Sequence, residues 1–161
     1  MRQSAVVFGC CSLLLAGACA ASADVEGYWL SERETAQIEL APCEDDPDAI
    51  CGHIVWLEEP YDEHGEPRLD VNNDDPDLRD RELLGLRIVW GMEPDADRER
   101  RWGGGRIYDP ENGNTYRARM DLSEDGESLD LRGYVGIPTF GRTSVWSRED
   151  DRRTVEPFNA N

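Results

Sequence analysis

The sequence predicts an all-β domain, a single antiparallel barrel of about eight strands with little helix. Three observations lead there. Apolar residues come in short bursts divided by Gly, Pro, Asn and Asp, and no window of helical length sustains a 3.6-residue period. Tyr116, Ala118, Met120 and Leu122 alternate with Thr115, Arg117, Arg119 and Asp121, giving a strand with one dry and one wet face. Leu129, Leu131, Gly133 and Val135 repeat the pattern after Ser123-Glu124-Asp125-Gly126-Glu127, which makes the two runs an antiparallel hairpin.

In chain order, strands are expected at 27–30, 35–40, 50–57, 84–91, 104–108, 115–122, 128–135 and 142–148. Asp109-Pro110-Glu111-Asn112-Gly113-Asn114 carries the Pro and Asn-Gly chemistry of a hairpin loop. The one helical hint is a turn at 75–81, where Pro76 suits an early helical position. The charged tail after Arg148 is expected to fray. Closing such a ribbon removes its exposed edges, and eight strands enclose room for side chains or one small ligand. A two-sheet sandwich is the alternative architecture.

Length and charge narrow the function. The 161 residues hold one small domain rather than a multidomain enzyme. With 35 acidic against 17 basic groups, the formal charge of −18 excludes a nucleic-acid binder, which needs a basic face. Every basic residue is Arg and none is Lys. A GC-rich genome accounts for that blandly; a salt-tolerant source accounts for it together with the carboxylates, whose repulsion salt screens.

The first 23 residues read as a secretory signal: Arg2, an apolar stretch through Leu13-Leu14-Leu15, then small residues ending in Ala21-Ser22-Ala23. The apolar run is too short to span a bilayer. The expected organisation is a signal at 1–23, one barrel domain at 24–150 and a charged tail at 151–161. Cleavage there removes one base and no acid, leaving 16 against 35, a charge of −19. The expected location is periplasmic or secreted. Ala16-Gly17-Ala18-Cys19 loosely matches the site at which bacterial lipoproteins are cut and acylated, so a lipid-anchored form is the alternative.

Cys43 and Cys51 alone survive this cleavage, and an exported pair is expected to form a disulfide. His53 follows two residues on, but Cys-x7-Cys-x-His matches no known metal site, and neither metal nor cofactor is expected.

Gly27-Tyr28-Trp29 in the first strand and Trp146-Ser147-Arg148 in the last resemble the lipocalin arrangement of an early Gly-x-Trp and a late Arg. The guanidinium of Arg148 would lie across the Trp29 indole and cap the closed end. A longer resemblance is to an exported bacterial family of domain of unknown function 2147. It runs through Gly27-Tyr28-Trp29, Cys51-Gly52-His53-Ile54-Val55-Trp56-Leu57, Asp70-Val71-Asn72-Asn73-Asp74-Asp75-Pro76 and Leu83-Leu84-Gly85-Leu86. It continues in Trp102-Gly103-Gly104-Gly105-Arg106-Ile107-Tyr108-Asp109-Pro110, Gly113-Asn114-Thr115-Tyr116, Arg132-Gly133-Tyr134-Val135-Gly136 and the segment from Gly141 to Arg148. The family often has Lys where this chain has Asn114. The resemblance implies a lipocalin-like barrel outside the cytoplasm and supplies no catalytic residues.

Asp70-x-Asn72-x-Asp74 opens like a calcium loop, but Asp75 stands where Gly is needed and Arg81 where Glu is needed, which rejects an EF-hand. A solvated acidic loop is expected there; the alternative is a loose cation site among Asp70, Asp74, Asp75 and Asp77. His53 and His64 have no recognisable nucleophile motif beside them, so no enzyme activity is expected. The three glycines at 103–105 suit a bulge that bends the sheet, or else close approach of a ligand.

These readings converge on a non-enzymatic protein that binds a small apolar or amphipathic molecule. Trp102, Tyr108, Tyr116 and Trp56 or Trp90 are the candidates to line the apolar mouth, with Arg106 or Arg142 meeting an anionic head group. The alternative is an envelope interaction or stress-protective module with a filled barrel and a protein partner. A small hydrolase or isomerase using His53 is the third reading.

Overall fold

A computed structural model describes residues 25–158, so the signal segment 1–23 and the acylation candidate Cys19 lie outside the described residues. The nine strands among these described residues are β1 (Gly27–Leu30), β2 (Ala36–Pro42), β3 (Ile50–Leu57), β4 (Arg87–Pro94) and β5 (Arg101–Gly103), then β6 (Arg106–Asp109), β7 (Asn114–Leu122), β8 (Ser128–Tyr134) and β9 (Gly141–Glu149). Among the described residues, helix is confined to single 3-10 turns at Pro76–Leu78 and Pro138–Phe140. Among the described residues, no helix is long and apolar enough to cross a membrane.

All pairings are antiparallel, and β3 pairs with β4 as well as β2, so the sheet closes on itself. Strands β5 and β6 share the neighbours β4 and β7 and act as one interrupted stave, which makes the structure a closed eight-stave barrel. The interruption falls on the glycine run. Pairing with β7 slips by one residue between Trp102↔Met120 and Arg106↔Arg117, while pairing with β4 stays in step from Glu93↔Gly103 to Trp90↔Arg106. A Cβ on Gly105 would stand 2.5 Å from the Trp90 carbonyl oxygen, so the bulge needs a residue without one. The glycines therefore bend the barrel wall.

Three sequence expectations change. The fourth strand is placed at 87–94 rather than 84–91, because the apolar run Leu83-Leu84-Gly85-Leu86 turns back on itself: Leu86 N–H donates to Leu83 O, and Gly85 has φ +87°. Strand β5 is additional. The tail is not frayed over its described length: Arg153 stacks 4.7 Å over Trp56, its guanidinium grips Glu149, and Phe158 packs edge-on against Tyr61. Beneath this strap Gln37, wholly buried on the outside of β2, donates to Glu149 Oε2 and Asp151 O and accepts from Arg153 N–H. The strap supplies the partners that a buried amide requires.

The core fills one end of the barrel. Trp29, Trp102, Met92, Met120 and Leu129 are all at most 1% exposed. Arg148 Cζ lies 4.3 Å from the Trp29 ring centroid, and its guanidinium donates to Gly126 O and Glu26 O. Trp29 Nε1 donates to Val25 O at 2.9 Å. Gly27 has φ +122°, and a Cβ there would come 3.3 Å from Arg148 Nη1, which explains the glycine two residues before the tryptophan. At this same end Cys43 and Cys51 are joined across the β2–β3 connection.

Candidate functional site

The opposite end is open. A cavity of about 830 Å³ enters the barrel from the loops β1–β2, β3–β4, β6–β7 and β8–β9. Its floor and walls are apolar, built from inward residues of six staves: Ile38, Ile54, Ile88, Ile107, Leu131 and Trp146. That size and lining suit a small organic ligand. The filled half of the barrel stops below Leu131 and Ile88, so the barrel is plugged at one end only.

Of the residues singled out from sequence, Tyr108, Tyr116 and Arg142 line this cavity. Trp56, Trp90, Trp102 and Arg106 are not among its lining residues, and each has a local reason. Strict alternation from Gly52 and Ile54 would turn Trp56 inward, but a bulge between Ile38↔Ile54 and Gln37↔Trp56 sends it out beneath Arg153 and puts Leu57 into the cavity. Trp90 is reversed in the same way by slips at Ile88 and Gly91, where His53↔Arg87 gives way to Gly52↔Val89 and that to Ile50↔Met92; it packs outside against the Cys43–Cys51 pair. Trp102 does point inward, but at the closed end, paired with Met120. Arg106 is exposed on the outer face. His53 lies outside the cavity lining, opposite Glu39 and Arg87, and His64 is exposed 3.5 Å from Glu63.

The long β3–β4 loop, which forms one side of the mouth, is pinned by residues read from sequence as solvated. Asp70 and Asn73 are buried instead. The Tyr108 hydroxyl donates to Asp70 Oδ1; Asn73 Nδ2 donates to Asp70 Oδ2 at 2.8 Å, and Arg81 Nη2 donates there at 2.7 Å. Asn72 donates to the carbonyls of Pro110 and Glu111 in the β6–β7 hairpin. The acidic motif is thus a clasp between two mouth loops, while Asp74, Asp75 and Asp77 stay exposed. Burial, reinforced by the hydrogen bond to Asp70 and its charge, pushes the Tyr108 phenol up to about 12.

Charged residues ring the opening in Arg–Glu pairs. Arg33 in the β1–β2 loop reaches Glu111 in the β6–β7 hairpin at 2.9 Å. Those loops sit on opposite staves of the ring, so the pair bridges the mouth. Arg68 meets Glu59, and Arg142 stands 4.0 Å from Glu32. Beside them the β8–β9 loop exposes Val135, Ile137 and Phe140, the last at 75%. Sequence reasoning missed Arg33, Glu111 and the cavity's isoleucines, because only closure of the ring brings them together.

Comparison with known proteins agrees with this architecture. A model of the family described as "Uncharacterized protein conserved in bacteria (DUF2147)" matches residues 27–148. The chain belongs to this family. The match begins at Gly27 and ends at Arg148, so it spans the barrel from the closing tryptophan's strand to the arginine that stacks on it. A solved structure of protein HP1028 from Helicobacter pylori, described as belonging to the lipocalin family, is similar in fold at a TM-score of 0.65 and 19% identity, covering 79% of this chain and 84% of that one. No curated protein matches.

Proposed function

We propose that this member of the family is an exported, non-enzymatic protein that holds a small apolar or amphipathic molecule in the mouth of its barrel. The observation that carries the reading is the cavity of about 830 Å³ with an apolar floor and a single charged rim. A chain evolved only to fill its barrel gains nothing from leaving Leu57, Leu83 and Ile107 partly exposed along an open cavity, since fully burying such side chains is worth about 1.5–3 kcal/mol each. Export is supported by the signal-like segment at 1–23 and by the Cys43–Cys51 bond, which persists in an oxidising compartment. Binding is favoured over catalysis because His53 stands away from the cavity.

The test uses a neutral fluorescent naphthylamine, which brightens in apolar surroundings. Wild-type protein is expected to bind it at a single site, and Ile107→Trp, which fills the floor, is expected to abolish the signal while melting normally. Native mass spectrometry of protein taken from its own host's envelope is expected to show a retained small molecule. A probe signal that survives Ile107→Trp, or none in the wild type, would defeat the reading.

A further inference from the structure

The charge around the cavity says which amphiphiles it takes. Among the described residues, five carboxylates (Glu32, Glu58, Glu59, Asp109 and Glu111) and three guanidiniums (Arg33, Arg68 and Arg142) line it, a net charge of −2. Each guanidinium already has a glutamate partner: Arg33 with Glu111, Arg68 with Glu59 and Arg142 with Glu32. Glu58 carries no ion pair among the described residues. An anionic head group would meet guanidiniums whose charge a neighbouring glutamate already offsets, and would sit among the remaining acids. A cationic one meets a net negative rim. It meets Glu58 directly, within a field set by a chain of formal charge −18.

Aromatic faces add to the preference. Tyr116, Tyr134 and Phe140 line the cavity as well, with Trp146 in its apolar wall. Ring faces attract ammonium groups, and quaternary ammonium most characteristically. No comparable gain is available to a carboxylate beside them, because a ring face repels it.

Resting on the proposed ligand-binding role of this cavity, we infer that its ligand class is the cationic amphiphile: an apolar body in the floor and an ammonium head at the Glu58 side of the rim. The acidic rim is then a selectivity filter, favouring amines over fatty acids of the same chain length.

The experiment displaces the naphthylamine probe with three amphiphiles that share one dodecyl chain: dodecyltrimethylammonium, dodecanol and dodecanoate, each below its micelle concentration. At low salt the ammonium compound is expected to displace the probe at about ten-fold lower concentration than dodecanoate, as a few exposed charge contacts of a fraction of a kcal/mol each would produce. The gap should narrow as salt rises. The triple variant E32Q/E58Q/E59Q leaves two carboxylates facing three guanidiniums, and its order of preference should reverse. These positions are exposed, so the variant is expected to fold; Glu58→Gln alone should narrow the gap in the same direction. Dodecanoate displacing as well as or better than dodecyltrimethylammonium would overturn the inference while leaving the binding role standing. Probe binding with no displacement by any of the three would overturn it too, and absence of probe binding would remove the role beneath it.

Discussion

At the closed end of this barrel each large side chain is spoken for: Trp29 lies under Arg148, donates to Val25 and packs in a core with no measurable exposure. At the mouth, Ile107 is half-buried against open space and the loops are joined by exposed ion pairs. Both ends are made by the same staves. The difference teaches that stability and binding are divided along the barrel axis, with close packing at one end financing an unfilled pocket at the other. Substitutions should separate the two ends cleanly. Trp29→Ala is expected to cost about 3–5 kcal/mol, a large share of what a small domain has. Ile107→Ala should cost only about 1 kcal/mol, since it already lacks neighbours on one side. Urea midpoints of the two variants measure this, and equal losses would break the division.

The same contrast explains what could be read in the sequence. The closed end was legible because its signals are local: Gly27 two residues before Trp29, an Arg at the end of the last strand, and period-2 runs such as 116–122. The period-2 runs follow from strand geometry alone, and the Gly27–Trp29 and Arg148 signals from the resemblance to lipocalins. The mouth was not, because which face a residue takes there depends on bulges. One extra residue reverses every side chain beyond it. Trp56 and Trp90 sit in strands recognised from sequence, and both lie on the outer side because of slips beside Val55 in one and at Ile88 and Gly91 in the other. Glycine at 91 was a visible hint; nothing comparable marks the slip in β3. Tyr108, by contrast, was found, and its clasp to Asp70 was not, since 38 residues separate the two.

That clasp joins the two ends' logics, being a buried polar lock placed at the mouth. Tyr108→Phe removes one of three donors to Asp70, leaving Asn73 and Arg81, and should cost about 1–2 kcal/mol. Its pH signature is more specific. The folded phenol is raised to about 12 from an ordinary value near 10, so the neutral hydroxyl's contribution is complete below about pH 10 and is lost as pH climbs through about 12. Absorbance at the phenolate band should show one tyrosine titrating late in wild type and absent in Tyr108→Phe. A normal titration for all tyrosines would mean that the clasp opens in solution and that the β3–β4 loop is not fixed.

The smallest effect concerns the bridge from Arg33 to Glu111, which ties opposite loops across the opening. Both side chains are more than half exposed, so Arg33→Ala should change stability by less than about 1 kcal/mol. Its effect belongs to kinetics. If the pair must part before a molecule enters or leaves, its loss speeds both steps by a similar factor, at most about five-fold, and leaves the equilibrium nearly unchanged. Stopped-flow mixing with the naphthylamine probe reads both rates. Glu111→Ala should match Arg33→Ala, the double variant should add little to either, and wild type in molar salt should approach the variants as screening weakens the pair. Faster exchange without a change in melting would place gating at the mouth and stability at the base. Unchanged rates would show that ligands pass beside the bridge, and the comparison between the two ends would then rest on packing alone.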